Sequence, residues 1–247
     1  MLKVANLSLR YPNGKQALSG IDLAVQPGEL VIVLGGNGSG KTTLLRCIAR
    51  TLAPSAGQVW VGGNDLTGLS GEGLRRARMA LAMISQHASL VRRRSVAANV
   101  AAGALGHYDD WWTALGGLPV KELAAAQGYL AEVGLADVAC QRAGTLSGGQ
   151  AQRVAIARAL AQRPRALLAD EPVASLDPEA AEDIMCLLKR LAKADNLAVL
   201  CVLHQVDLTY NHADRVVGIR GGRIAFDLPK DEVSREVVRG LYLSEAA

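Results

Sequence analysis

The chain is predicted to fold as an α/β protein with a mixed sheet, an antiparallel β region at the N-terminus and a helical subdomain inserted in the middle. Three observations point there. Residues 30–34, 166–169 and 197–203 are unbroken apolar runs of strand length, as expected for strands covered on both faces. Residues 3–10 alternate apolar with polar, and residues 18–25 form a second strand candidate across a Tyr11-Pro12-Asn13-Gly14 turn, a pattern that suits a hairpin. From about Leu69 to Ala161 the composition becomes rich in Ala, Arg and Gln and strand signals thin out.

In chain order, the second strand closes at Gln26-Pro27-Gly28-Glu29 and the buried strand 30–34 follows. A helix is predicted over 42–51 and a strand over 58–61, before Gly62-Gly63-Asn64-Asp65. The helical lobe starts near His87. Beyond it, the buried strands 166–169 and 197–203 flank a helix from about Pro178 to Lys193. Residues 216–220 and 223–226 read as a hairpin around Gly221-Gly222, and 231–242 as a final helix. There is no internal repeat, and 247 residues suit one sizeable core. Half of the residues are hydrophobic but only 4% are aromatic, so Ala, Leu and Val must fill that core.

Gly35-Gly36-Asn37-Gly38-Ser39-Gly40-Lys41-Thr42 fits the pattern G-x-x-x-x-G-K-[ST] between a buried strand and a helix. Glycines let backbone N–H groups face phosphate oxygens, and the helix adds the positive end of its dipole. Lys41 is expected at the β- and γ-phosphates, and Thr42 at Mg²⁺. A second carboxylate site is suggested by Asp170-Glu171, which ends the buried run 166–169. Asp170 at the strand end can hold Mg²⁺, and Glu171 can serve as general base for an attacking water.

Leu146-Ser147-Gly148-Gly149-Gln150 continues as Ala151-Gln152-Arg153-Val154-Ala155-Ile156-Ala157-Arg158-Ala159-Leu160. Coming between the glycine loop and Asp170-Glu171, this stretch resembles the ATP-binding cassette (ABC) family. The resemblance implies a P-loop NTPase core, ATP and Mg²⁺ as cofactors, and hydrolysis of ATP in a dimer of cassettes. It places Gly35, Gly36, Asn37, Gly38, Ser39, Gly40, Lys41, Thr42 and Thr43 on the nucleotide, with Tyr11 against the adenine ring. Ser147, capping its helix, would join Gly148, Gly149 and Gln150 in facing the γ-phosphate held by the other copy. Asp177, in Ser175-Leu176-Asp177, would run along the dimer interface. Gln86 matches the lid glutamine that reads Mg²⁺ and water, and His204 matches the switch histidine. The family more often has Pro where Gly36 stands, and an aromatic where Ser85 stands.

The implied layout is a single cassette over 1–247, with residues 1–86 and 162–247 as catalytic core and 87–161 as helical subdomain. Residues 168–179, 203–207 and 99–105 resemble most the ATP-binding subunits of bacterial phosphonate importers, Gln205 after His204 being the best clue. That branch implies two membrane permease subunits and an extracytoplasmic phosphonate-binding protein as partners. The chain would then sit peripherally on the cytoplasmic face of the inner membrane. The alternatives are another importer or exporter, or a soluble cassette ATPase outside transport; the lobe lacks the sustained heptads of repair-type cassettes.

The remaining features are weaker. No apolar run approaches the ~20 residues that span a bilayer, and Met1-Leu2-Lys3-Val4 does not read as a secretion signal. Net charge is +4, and the main basic cluster (Arg75, Arg76, Arg78, Arg92, Arg93, Arg94) lacks aromatics for base stacking. No nucleic-acid partner is expected; a solvated face is the plain reading, membrane or permease contact the sharper one. Cys47, Cys140, Cys186 and Cys201 lack C-x-x-C spacing and are expected to be buried reduced thiols. Trp111 and Trp112 are expected to pack inside the helical lobe, or to serve as a docking surface.

Overall fold

The computed structural model describes residues 1–242; the last five residues of the predicted 1–247 unit lie outside the described residues. β1 (Leu2–Arg10) and β2 (Gln16–Val25) pair antiparallel. The turn between them closes with Gly14 N–H donating to Tyr11 O at 2.9 Å. β3 (Leu30–Leu34), α1 (Lys41–Ile48), β4 (Ala56–Val61) and β5 (Asn64–Asp65) follow. Strands β2-β1-β4-β5, in that order, make a four-stranded antiparallel sheet.

α2 (Gly71–Arg78) and β6 (Leu81–Ile84) come next, neither predicted as a separate element. The lobe comprises α3 (Val96–Ala101), a 3-10 turn over Ala102–His107, α4 (Trp111–Ala114), α5 (Val120–Glu132) and α6 (Gly148–Ala161). β7 (Ala166–Asp170), α7 (Pro178–Ala194), β8 (Ala198–Val202), α8 (Val206–His212), β9 (Arg215–Arg220), β10 (Arg223–Pro229) and α9 (Arg235–Tyr242) complete the described chain. The predicted last helix is thus shorter, with a separate 3-10 turn at Lys230–Glu232.

The second sheet has six strands in the order β10-β9-β3-β8-β7-β6. It is parallel throughout except where β10 pairs antiparallel with β9. Its central strands are fully covered, as their apolar runs require. Alternate side chains enter different layers. Leu30, Ile32 and Leu34 pack with the helical lobe and α7, while Val31 and Val33 pack with α1 and the antiparallel sheet. Fully burying each Leu, Ile or Val contributes about 1.5–3 kcal/mol, so the middle of this sheet is a stiff support for whatever its strand ends carry.

Two sequence expectations fail at the surface. Cys47 and Cys201 are buried, but Cys140 and Cys186 are exposed. Both exposed residues lie outside the faces their segments bury; on α7 the packed residues are Ala181, Ile184, Met185, Leu187, Leu188, Leu191 and Ala192. Trp111 and Trp112 do not pack into the lobe; they stand 73% and 56% exposed, their rings edge-on at 6.1 Å. α4 is a single turn, and it turns Thr113 inward while both tryptophans point to solvent.

Candidate functional site

β3, β8 and β7 are neighbours running in parallel, with Val33 beside Val202 and Val202 beside Asp170. Their C-terminal ends therefore open at one edge, where ligands bind in open α/β sheets. The glycine loop leaves β3, Asp170 and Glu171 leave β7, and Leu203 and His204 leave β8. A cavity of about 280 Å³ forms there, lined by Asn37 to Thr43 together with Tyr11, Lys15, Ala17, Glu171 and His204. On the other side of the same loop, a hollow of about 810 Å³ is lined without any carboxylate or imidazole.

The loop needs its glycines at identifiable points. Gly40 has φ 109°, and a Cβ there would lie 2.8 Å from Ala17 O. At Gly35 a Cβ would meet Ile219 O at 2.3 Å. Gly36 is different: nothing comes closer than Leu241 O at 3.8 Å, so a side chain fits. Because Gly40 has no side chain, the N-terminus of α1 receives no side-chain cap, and its N–H groups remain available to an anion. Ser39 Oγ is buried without a hydrogen-bond partner. Both features fit a phosphate chain.

Lys41 is 6% exposed, and its ammonium donates to Gly35 O at 2.7 Å and Gly36 O at 3.0 Å. Burial lowers its pKa, with Glu171 and Asp170 pulling the other way. Thr42 Oγ1 donates to Asp170 Oδ1 at 3.2 Å. Burial raises the Asp170 pKa, Thr42 opposes this, and Glu171 adds to the rise. Burial disfavours charge on the Lys41 ammonium and on the half-buried Asp170 carboxylate, and a polyanion carrying a hard divalent cation offsets both. Thr42 and Asp170 are oxygen donors of the kind Mg²⁺ takes.

Glu171 Oε1 and His204 Nε2 are 2.6 Å apart. The Glu171 backbone is held at φ 52° while its N–H donates to Val202 O at 3.1 Å. A left-handed glutamate costs strain, of order 1–3 kcal/mol, and here it keeps the carboxylate on the cavity side of β7. Tyr11 Oη lies 3.3 Å from Thr43 Oγ1, which ties the β1–β2 turn to α1. Lys15, from that turn, was missed as a lining residue: a single lysine in a polar turn carries no sequence pattern.

Not every predicted residue joins this cavity. Ser147 caps α6 as expected, accepting from Gln150 N–H at 3.3 Å, while Gln150 Oε1 accepts from Ser147 N–H at 3.0 Å. Ser147 and Gly148 are exposed, and Gly148 and Gly149 abut Leu176 and Ala180. Asp177 caps α7, accepting from Ala180 N–H at 2.9 Å. None of these lines the cavity with Lys41. Gln86 is exposed and also lies outside that lining. Its segment is held by α6: Gln152 Nε2 donates to Ser85 O at 3.4 Å, and Arg158 to Ala88 O and Ser89 O at 2.8 and 2.9 Å. Four of the six arginines of the basic cluster are paired internally: Arg75 and Arg76 with Glu72 and Asp109, Arg78 with the carbonyls of Ala49 and Arg50, and Arg94 with the carbonyl of Gly116.

A family model described as ABC transporter matches residues 18–174. The protein named Phosphonates import ATP-binding protein PhnC 3, from Halalkalibacterium halodurans, is 41% identical over 242 residues, covering 98% of this chain and 94% of that protein. Phosphonates import ATP-binding protein PhnC 2, from Synechococcus sp., is 43% identical over 245 residues, covering 99% and 91%. Among solved structures, cbiO1 from Clostridium perfringens, described as part of the ABC transporter complex cbiONQ, matches with TM-score 0.83 at 31% identity over 97% of this chain and 93% of that one. The ATP-binding cassette MJ0796, described as a dimeric post-hydrolysis state bound to ADP and Pi, matches with TM-score 0.80 at 29% identity over 93% and 99%.

Proposed function

We infer the role of this chain from its kinship: it belongs to the ABC transporter family. It is the ATP-hydrolysing subunit of an ABC importer, and the solute is a phosphonate or a related phosphorus oxyanion. Near-full-length identity of 41–43% to proteins named for phosphonate import supports the solute. The convergence of Lys41, Thr42, Asp170, Glu171 and His204 at the ends of three adjacent strands supports the chemistry.

In this reading Lys41 exchanges the Gly35 and Gly36 carbonyls for the β- and γ-phosphates, and residues 35–43 wrap the phosphate chain. Thr42 and Asp170 hold Mg²⁺, which neutralises charge on the phosphates. Glu171 accepts the proton of the attacking water, and His204 holds that carboxylate in place. Gln86 closes over the site as a lid residue, and Tyr11 stacks on the adenine. Ser147, Gly148, Gly149 and Gln150 of a second copy complete the pocket, with Asp177 along the interface. Residues 1–86 and 162–247 act as the catalytic core, and 87–161 as the helical subdomain. No helix among the described residues is long and apolar enough to cross a membrane; the proposed partners are two permease subunits and an extracytoplasmic phosphonate-binding protein. The working place is then the cytoplasmic face of the membrane.

Glu171→Gln tests this. Turnover is expected to fall by about 10²-fold or more, while ATP binding persists and size-exclusion chromatography with ATP captures a dimer. In a strain lacking the gene, the variant should fail to restore growth on a phosphonate as sole phosphorus source, whereas the unaltered gene restores it. Wild-type turnover by the variant overturns the base assignment; growth on phosphonate without the gene overturns the solute.

A further inference from the structure

We propose that Glu182, Cys186 and His212 form a site for a borderline divalent cation of the Zn²⁺ class, clasping α8 to α7. Glu182 and Cys186 stand four residues apart on α7 and so share one face of it. That face lies outside the packed one: Cys186 is exposed and Glu182 half-buried. His212, the last residue of α8, is 5% exposed, and its Nε2 lies 2.8 Å from Glu182 Oε1. A carboxylate oxygen, Sγ and a ring nitrogen of the three residues all lie within 4.8 Å of one another.

A structural hydrogen bond accounts for Glu182 and His212 but not for the thiol beside them. One sulfur, one imidazole nitrogen and one carboxylate oxygen make a mixed donor set that Zn²⁺ accepts at about 2.3, 2.0–2.1 and 2.0–2.2 Å. In tetrahedral geometry such bonds set the donors about 3.5 Å apart, so the sulfur approaches by about 1 Å through rotation of the exposed Cys186 side chain, while the Glu182 oxygen and the His212 nitrogen, now 2.8 Å apart, separate by about half an ångström. On binding, the thiol gives its proton to solvent as the metal–sulfur bond forms. The Glu182–His212 hydrogen bond, to which Nε2 gives its hydrogen, is replaced by one metal bond to each partner: the ring shifts to the tautomer protonated on Nδ1, leaving the Nε2 lone pair for the metal. Three protein ligands leave a fourth position for water. The sulfur also separates this site from the all-oxygen pair Thr42 and Asp170, which suits a harder ion. α8 begins two residues after His204, so a cation on His212 would anchor the helix that follows the cavity histidine.

The test is equilibrium dialysis of the full-length chain against micromolar Zn²⁺ without nucleotide, read as bound metal per chain, with Co²⁺ absorption as a second readout. Expected are one Zn²⁺ per chain, tetrahedral Co²⁺ bands with a thiolate charge-transfer band, and at least a tenfold loss of affinity in Cys186→Ser. Cys186 is exposed, so this change leaves the core intact, and circular dichroism verifies folding. Cys140→Ser, at the other exposed thiol, should bind as wild type. Absence of binding by the wild-type chain overturns the proposal, as does unchanged affinity in Cys186→Ser. Loss in Cys140→Ser instead places the thiolate elsewhere and overturns it too.

Discussion

Gly36 and Gly40 sit four residues apart in one loop, yet their surroundings differ. Gly40 combines φ 109° with a backbone oxygen 2.8 Å from where a Cβ would stand, whereas Gly36 has open space to 3.8 Å. Gly40→Ala should therefore lower the thermal midpoint, at a cost of more than about 1 kcal/mol, and weaken nucleotide binding. Gly36→Ala should change stability by about 0.5 kcal/mol or less. Thermal unfolding and nucleotide titration of the two variants check this; equal behaviour would mean that close backbone approach does not shape the loop. The same residue-level reasoning separates Lys41 from the exposed cations. Its ammonium is already desolvated and rests on neutral carbonyls, an arrangement that an anion improves at little further desolvation cost.

The helical lobe is held to the rest of the chain through Glu122 of α5, which is 2% exposed. Arg163, just beyond α6, donates to both its oxygens at 2.9 and 2.8 Å, and Tyr108 Oη donates at 2.8 Å. Burial pushes the Glu122 carboxyl up, but Tyr108 and Arg163 outweigh it and hold the pKa below the usual value. The native chain thus binds this proton less tightly than the unfolded one. The stabilisation is present above the ordinary carboxylate range and lost as pH falls through the lowered pKa. Arg163→Ala should cost about 1–3 kcal/mol at neutral pH, and the gap from wild type in urea unfolding should narrow in acid. A gap independent of pH would count against the ion pair. Elements of this kind differ in how readable they are from sequence. β3 and α7 announce themselves, the first as an unbroken apolar run, the second through Asp177 as cap and Pro178 in its first turn. β6 is four residues, LAMI, with little β-branching, and only pairing with β7 makes it a strand. α8 has few apolar positions from which to read a stripe. The motif residues around Lys41 and Glu171 were readable because a phosphate loop and a strand end keep their chemistry contiguous in sequence. Lys15 and the Glu182–Cys186–His212 cluster were not, because tertiary packing assembles them.

At the scale of the whole molecule, the phosphate loop and the start of α6 open in different places. The cavity with Lys41 is lined without Ser147 to Gln150, and the Ser147–Gln150 capping box meanwhile occupies the N–H groups of those two residues at the start of α6. A cap of this type stabilises by about 1 kcal/mol, so a second copy must offer α6 something better before it yields. ATPase activity per chain is therefore expected to rise with protein concentration and to plateau once dimers dominate. Activity independent of dilution would remove the need for a twin. If each closed pair needs both pockets filled, its abundance follows the square of the filled fraction: halving that fraction quarters the closed pairs. The subunit would then respond to falling nucleotide supply more steeply than any single pocket could, idling the importer before the cell's energy store runs low.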